Sequence, residues 1–208
     1  QEELAYVRQP EQRILLLVQR ADLLMHKLNR PEDAVELLQE VLSANAAHIA
    51  ARRMLDEALE KPSTRQVAAD ILLHLCEHEN NHPKIVELLE IKLEAASSTE
   101  ESVGILSRQG KLFTVQLGLP EKAFSAWRRA LRMDPGNAEV RGAIEELVEI
   151  VGNKEQLVEV WKEAMEAAGD DADLRTLYLE KIALIYERDL AEPEKAVEWY
   201  RRLLAASA

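Results

Sequence analysis

A small residue, an aromatic residue and a second small residue recur in this chain at fixed helical spacing, and the clearest copy is followed by an Asp-Pro pair. Ala123, Trp127 and Ala130 occupy positions i, i+4 and i+7, which lie on one stripe of an α-helix. That stripe can receive a neighbouring helix, because it offers two small contact points around one large ring. Asp134 precedes Pro135, and the residue before a proline is disfavoured in the α conformation, so the helix ends there. We expect Asp134 to cap a second helix that begins at Pro135.

The composition supports a helical chain. The 208 residues include only 7 glycines and 7 prolines, while alanine, leucine and the charged helix formers recur throughout, so we predict an all-α fold. The net charge of −12 argues against binding to nucleic acid or to anionic membrane surfaces, because both require a basic face. A basic or apolar protein partner is more compatible with this charge.

The single cysteine and the short apolar runs limit the cellular setting. Cys76 has no second cysteine with which to form an internal disulfide, which fits a reducing compartment and favours a cytoplasmic location. The apolar runs are far too short to span a bilayer, so we predict no direct membrane insertion.

Ala123 and four other residues occupy equivalent positions in successive copies of the pattern. They are Ala34, Ile85, Ala123, Leu157 and Ala196, separated by steps of 51, 38, 34 and 39 residues. The segment 64–96 also matches the segment 137–168, with Ile85 aligned on Leu157, so the repeat is doubled. Because Ile85 and Leu157 stand where the other copies have alanine, we expect looser or differently angled helix packing in those two units.

Two features of this alignment leave alternatives open. The longest step requires an additional helix at about 47–60, which pairs either with the helix before it or with the helix after it. The next unit is ambiguous by one residue, since Pro83 would place Val86 rather than Ile85 opposite Ala123.

The pattern of small residue, aromatic residue and alanine, with Gly118 five residues before Ala123, resembles the tetratricopeptide repeat (TPR), a helix-turn-helix unit of roughly 34 residues. The copies are degenerate and are similar to those of large bacterial multi-repeat scaffold proteins. The chain divides approximately into units 11–46, 47–98 with the additional helix, 99–135, 136–170 and 171–208.

The resemblance implies a right-handed α-solenoid of about eleven helices, in which the first helix of each repeat lines a concave groove and the second forms the convex back. Repeats of this kind bury their apolar faces only against neighbours. The last apolar helix is followed directly by Ala-Ala-Ser-Ala with no polar cap, so we expect the chain to be a piece of a longer array.

The register of the Ala123 unit predicts which first-helix residues line the groove. These are Asp22, Met25, His26, Asp70, His74, Glu77, His78, Ser107, Lys111, Thr114, Glu146, Glu149, Glu180, Glu187 and Arg188. The lining is mainly acidic and is interrupted by Lys111 and Arg188. It therefore favours a basic partner only mildly over a neutral one.

A histidine cluster raises the question of a metal site. His74 and His78 are i, i+4 neighbours that can clamp a divalent metal from one helix face, and Cys76, Glu77 or His82 could add ligands. The internal repeat argues against such a site, because Cys76 aligns with the core residue Val148 and no ligand pattern recurs. We expect His82 to be the N-cap of the next helix, and we retain a metal-binding module using His74 and His78 only as a remote alternative.

The remaining motifs indicate packing rather than chemistry. The three tryptophans occur at or next to one repeat position, which predicts a core ladder instead of a cofactor box. The chain has no phosphate loop, no serine elbow and no HExxH helix. The sequence therefore predicts no enzyme and no cofactor, but a scaffold that binds a partner protein or peptide through its concave face. The alternative is an architectural segment that self-associates through uncapped solenoid ends.

Overall fold

The computed structural model describes residues 10–206, and throughout this range the chain forms eleven α-helices and no β-strand. This confirms the prediction of an all-α fold with about eleven helices. In chain order the helices are α1 Pro10–His26, α2 Pro31–Ala44, α3 Ile49–Ala58, α4 Arg65–His78, α5 His82–Glu94, α6 Thr99–Lys111, α7 Pro120–Met133, α8 Ala138–Val151, α9 Lys154–Ala167, α10 Ala172–Leu184 and α11 Pro193–Ala206. Helix α6 continues into the π-helical segment Leu112–Gln116, and α10 continues into the π-helical segment Ile185–Asp189.

The helices divide into two compact units, one ending at Ala95 and the other beginning at Ala96. In the first unit, α1 packs along α2 and α4 packs along α5, so both pairs are helical hairpins. The core of this unit includes Ala21, Leu38 and Leu55, none of which is exposed to solvent. Ala34, the small residue of the first repeat copy, is also fully buried.

The additional helix expected at about 47–60 is α3, Ile49–Ala58. It packs mainly on α2 and also contacts α1 and α4, so it pairs with neighbours on both sides. Arg52 of α3 forms an ion pair with Glu79, the residue that follows α4. Because α3 lies between them, α2 and α4 make little direct contact.

In the second unit, α6 and α7 form one hairpin and α10 and α11 form another. Helix α8 packs against α7, and α9 packs against α10 and α7, while the contact between α8 and α9 is small. The expectation of looser packing therefore holds for the α8–α9 pair, which contains Leu157. It is wrong for α4–α5, because these helices pack closely although Ile85 is buried at the equivalent position.

Within residues 10–206, a residue with left-handed backbone lies in the turn of each of the helix pairs α1–α2, α4–α5, α6–α7, α8–α9 and α10–α11. These residues are Asn29, Asn80, Gly118, Gly152 and Ala191, with φ between 51° and 77°. Each stands five residues before one of the five aligned positions, so the turns recur with the same spacing as those positions. The common turn therefore places Ile85, and not Val86, at the position of Ala123.

The structure corrects two predicted helix caps. Asp134 closes α7, since its amide N–H donates to the Ala130 carbonyl at 3.0 Å, and Pro135 lies in the turn that follows. The N-cap of α8 is Asn137, whose Oδ1 accepts from the Val140 amide at 3.1 Å.

Likewise, the N-cap of α5 is Asn81, whose Oδ1 accepts from the Lys84 amide at 3.3 Å, and His82 is the first residue of the helix. At both sites an asparagine side chain reaches the free amide groups of the first turn and takes the cap.

The prediction that the tryptophans form part of the core is confirmed. Trp127, Trp161 and Trp199 are all buried. Trp127 lies directly against Gly110 of α6, where a Cβ atom would come within 2.3 Å of the ring atom Cε2. The ring centroids of Trp161 on α9 and Tyr178 on α10 are 5.6 Å apart. These rings join helices to one another instead of lining a ligand box.

Candidate partner-binding site

In the first unit the structure brings together three of the predicted groove residues. Asp70, His74 and His78 line a cavity of about 580 Å³ between α4 and α2. The opposite wall comes from Leu42 and Ser43 of the second helix of the first hairpin. This cavity lies between two helices that make little direct contact with each other.

In the second unit, two more predicted residues line a cavity of about 570 Å³ between α6 and the start of α8. Ser107 and Lys111 form one side, and Asn137 and Glu139 form the other. The Lys111 Nζ atom lies 2.8 Å from Glu139 Oε1, and the lysine lowers the pKa of that carboxyl group. The ion pair therefore neutralises the charges of Lys111 and Glu139.

A third cavity, of about 450 Å³, lies between the end of α6, its π-helical segment and α8. We call it the α6–α8 cavity. It is lined by Lys111, Thr114, Val115, Trp127, Ala138, Glu139, Gly142, Ala143, Glu146, Leu147 and Ile150. Three of these, Lys111, Thr114 and Glu146, are among the predicted groove residues.

The α6–α8 cavity is apolar at its centre and open at its sides. Val115 is 73% exposed and Ile150 is 76% exposed, whereas Trp127 is buried. Gly142 adds room, since a Cβ atom built on it meets nothing within 4 Å. Exposed aliphatic side chains beside a concave surface are typical of a site that binds another molecule.

Counting partners among residues 10–206 alone, the rim of the α6–α8 cavity carries one unneutralised charge. The Thr114 hydroxyl donates to the Gly110 carbonyl at 2.8 Å, and Lys111 pairs with Glu139, so both groups are satisfied within the chain. The Glu146 carboxylate is exposed and forms no ion pair or hydrogen bond with any of residues 10–206. A cationic group at the rim would therefore find a free acceptor.

Other predicted residues are neutralised by neighbours. Glu149 forms an ion pair with Lys154, and Asp70 pairs with Lys92 at 2.7 Å. The Glu187 carboxylate accepts a hydrogen bond from the Tyr200 hydroxyl at 2.7 Å. Part of the acidic lining expected from the sequence is therefore compensated within the chain.

At the start of the first unit, Asp22 and Glu57 both contact the His26 ring, each at 3.0 Å. These contacts raise the pKa of His26, with the hydrogen bond to Glu57 as the largest cause. Met25 is 3% exposed, so the expectation that it lines a surface is corrected: its side chain packs in the core. The register of the Ala123 unit does not transfer to Met25 at the end of α1.

The remaining predicted residues lie apart from these cavities. Glu77, Glu180 and Arg188 are exposed and line none of the three. The sequence prediction omits Val115 and Ile150, because isolated aliphatic residues on a repeat helix are expected in the core. One signal exists for Ile150: it aligns with His78 in the internal repeat, and a position occupied by a polar residue in one copy is expected to face solvent.

Residues 10–206 contain no group of three or more histidine, cysteine, aspartate or glutamate side chains placed to hold one ion. The Cys76 thiol is buried, and its desolvation raises its pKa, so it stays protonated and weakly reactive. Among the helices described, none has both the length and the apolar character needed to cross a bilayer.

No protein-family model matches the chain, and no curated protein matches it significantly. Solved structures do match it. The chain is similar to TPR-like repeat proteins. One is BtubC (BKLC) from P. vanneervenii, which is 19% identical over 95% of this chain and 91% of that chain, with a TM-score of 0.34.

Two further structures belong to the same group. The nearly identical TPR-like repeats of a putative kinesin light chain from Podospora anserina are 14% identical over 94% of this chain and 95% of that chain, with a TM-score of 0.35. A thermophilic TPR protein of Thermus thermophilus is 19% identical over 80% of this chain and 97% of that chain, with a TM-score of 0.26. At such low identities and TM-scores these similarities say nothing about a site, and the site is defined by the geometry of this chain.

Proposed function

We propose that the chain is a non-enzymatic protein-interaction scaffold whose α6–α8 cavity binds a segment of a partner protein. The observation that supports this most strongly is the placement of Val115 and Ile150, two strongly exposed aliphatic side chains, on either side of a concave surface above Trp127. Removing such side chains from water favours association by roughly 25 cal/mol for each Å² buried. The cavity therefore suits an apolar side chain of the partner.

The charge at the rim indicates which residue a partner segment would carry beside its apolar side chain. Among the described residues, Glu146 is the carboxylate of this cavity that is left unpaired, whereas Glu139 is held by Lys111. A lysine or arginine next to the apolar anchor would pair with Glu146, while a neighbouring acidic residue would be repelled by it. The expected partner segment has an apolar side chain flanked by a basic one.

Peptide display on the immobilised chain tests this proposal even though the partner is unidentified. We expect the selected peptides to combine an apolar residue with an adjacent lysine or arginine. The affinity of the best peptide, measured by fluorescence anisotropy, should fall about tenfold or more in Ile150→Ser, because a large part of one aliphatic contact is lost. Glu146→Gln should lower the affinity for peptides that contain the basic residue and leave the affinity for peptides without it unchanged.

Ile49→Ser is the matched control, since Ile49 is 83% exposed and lies on α3 in the first unit. It should leave the affinity unchanged. The proposal fails if Ile150→Ser and Ile49→Ser have the same effect, or if the selection enriches no apolar and basic combination.

Self-association is the second candidate, and one observation favours it. Helix α11 exposes Val197 and Leu204, at 49% and 72%, seven residues apart on one helix face. Sedimentation over a concentration series should show dimers that are abolished by Leu204→Lys. A purely monomeric chain at all concentrations would exclude this candidate.

A further inference from the structure

Two histidines in the first unit have a geometry that the scaffold function does not use. His74 and His78 lie on successive turns of α4, and both are exposed. Their rings meet edge to face with centroids 4.6 Å apart, and their Nε2 atoms are 3.3 Å apart. The two atoms that imidazoles use to bind metals therefore face each other.

This separation matches what a chelated ion requires. Zinc–nitrogen bonds are about 2.0–2.1 Å long, and two such bonds at a tetrahedral angle place the nitrogens about 3.3–3.4 Å apart. Without metal, one ring donates its Nε2 proton to the lone pair of the other ring. Metal binding would move that proton from Nε2 to Nδ1 of the same ring, so that both rings stay neutral and both Nε2 lone pairs point toward the ion with little movement of the helix.

The neighbouring polar groups are engaged elsewhere. Asp70, one turn before His74, forms an ion pair with Lys92, and Glu79 forms one with Arg52. Cys76 lies between the two histidines in sequence but is buried in the core. Within residues 10–206, two side chains therefore serve as ligands here, and the remaining coordination positions belong to water or to a group that enters from outside.

We propose that His74 and His78 bind one Zn²⁺ ion as a two-imidazole chelate. Both rings line the cavity of about 580 Å³ between α2 and α4, so the open coordination positions are reached from that cavity. The sequence alone argues against a metal, because the internal repeat carries no recurring ligand pattern. A site made by one pair on one helix needs no such repetition.

Isothermal titration of the tag-free, chelator-treated chain with ZnCl₂ tests the proposal. We expect one ion per chain, with affinity reduced about tenfold or more by either His74→Gln or His78→Gln, since each variant leaves a single imidazole. Both side chains are exposed, so neither variant disturbs the core. His82→Gln and Cys76→Ala should bind Zn²⁺ as the unchanged chain does.

The proposal is overturned if the chain shows no saturable Zn²⁺ binding. It is also overturned if binding survives both histidine variants, or if it is lost in His82→Gln or Cys76→Ala. None of these outcomes bears on the α6–α8 cavity, because the peptide assay uses residues of the other unit.

Discussion

Two consecutive helix pairs of the second unit, α6–α7 and α8–α9, share the same left-handed turn but differ in how closely their helices approach. In α6–α7 the contact is broad, and Trp127 lies directly on Gly110 with the fully buried Ala123 beside it. Two small residues thus make room for one large ring. The helices can approach closely because only one of the three positions carries a bulky side chain.

In α8–α9 all three equivalent positions are large. In the repeat alignment Ile144 corresponds to Gly110, Leu157 to Ala123 and Trp161 to Trp127. All three are buried, yet α8 and α9 make little contact with each other. Instead, Trp161 packs against Tyr178 of α10, whose hydroxyl donates to the Pro135 carbonyl at 2.5 Å.

The α4–α5 hairpin shows where the limit lies. It has Leu72, Ile85 and Leu89 at these positions and remains closely packed. A close approach of the two helices therefore tolerates three aliphatic side chains. The α8–α9 pair, whose helices make little contact, differs in having Trp161 at the third position. The small residue of the motif thus sets the helix separation only in combination with the residues that face it. The same open pair includes Ile150, the exposed side chain on which the proposed function rests.

The largest effect on stability is expected where α6 and α7 approach each other most closely. In Gly110→Ala the new methyl group would lie 2.3 Å from a Trp127 ring carbon, so the helices must separate. We expect a loss of about 1–3 kcal/mol in the free energy of unfolding, measured from urea midpoints. Gly104→Ala on the same helix is the control.

A Cβ atom at Gly104 meets nothing within 4 Å, so its replacement by alanine should stabilise the helix by about 0.5–1 kcal/mol. A stabilising effect of Gly110→Ala would contradict the claim that close packing of Trp127 on Gly110 distinguishes α6–α7 from α8–α9.

The second effect separates turn geometry from packing. Ala191 has φ of 52° and Gly118 has φ of 61° at equivalent turns, but only glycine adopts this conformation without cost. We expect Ala191→Gly to stabilise the chain by about 0.5–1 kcal/mol and Gly118→Ala to destabilise it by about 1 kcal/mol, as measured by thermal unfolding. Equal signs for the two substitutions would contradict a shared turn.

The smallest effect concerns the ion pair that joins α9 to α7, since α9 makes little contact with α8. Arg128 of α7 forms an ion pair with Glu163 of α9, and its hydrogen bond lowers the pKa of that carboxyl group. A lowered carboxyl pKa stabilises the fold above the unfolded value, about 4.3, and this contribution is lost as the pH falls through the folded pKa. Both side chains are partly exposed, so we expect at most about 1 kcal/mol.

At pH 7 the free energy of unfolding of Arg128→Gln should therefore be lower than that of the unchanged chain. The two free energies should converge near pH 3. Arg202→Gln, which removes an exposed pair within α11, is the control and should have a smaller effect at pH 7. If Arg128→Gln is as stable as the unchanged chain at pH 7, the ion pair does not secure α9.

Much of the fold can be predicted from the sequence, because helical spacing and repeat offsets report directly on which residues are buried. The number of helices, the additional helix and the buried tryptophans all follow from such patterns. The caps at Asn81 and Asn137 do not, since a neighbouring histidine or Asp-Pro pair offers an equally plausible cap. The cavities depend on the distance between helices, and that distance depends on combinations such as Ile144 with Trp161 that no single motif contains.

The most direct test of the proposed binding site is amide hydrogen exchange with and without the best peptide from the display selection. We predict that the peptide slows exchange in residues 111–116 and 142–151, which border the α6–α8 cavity, and leaves α11 and the first unit unchanged. Protection confined to α11 or to the first unit, or no protection at all, would contradict the assignment of this cavity as the binding site.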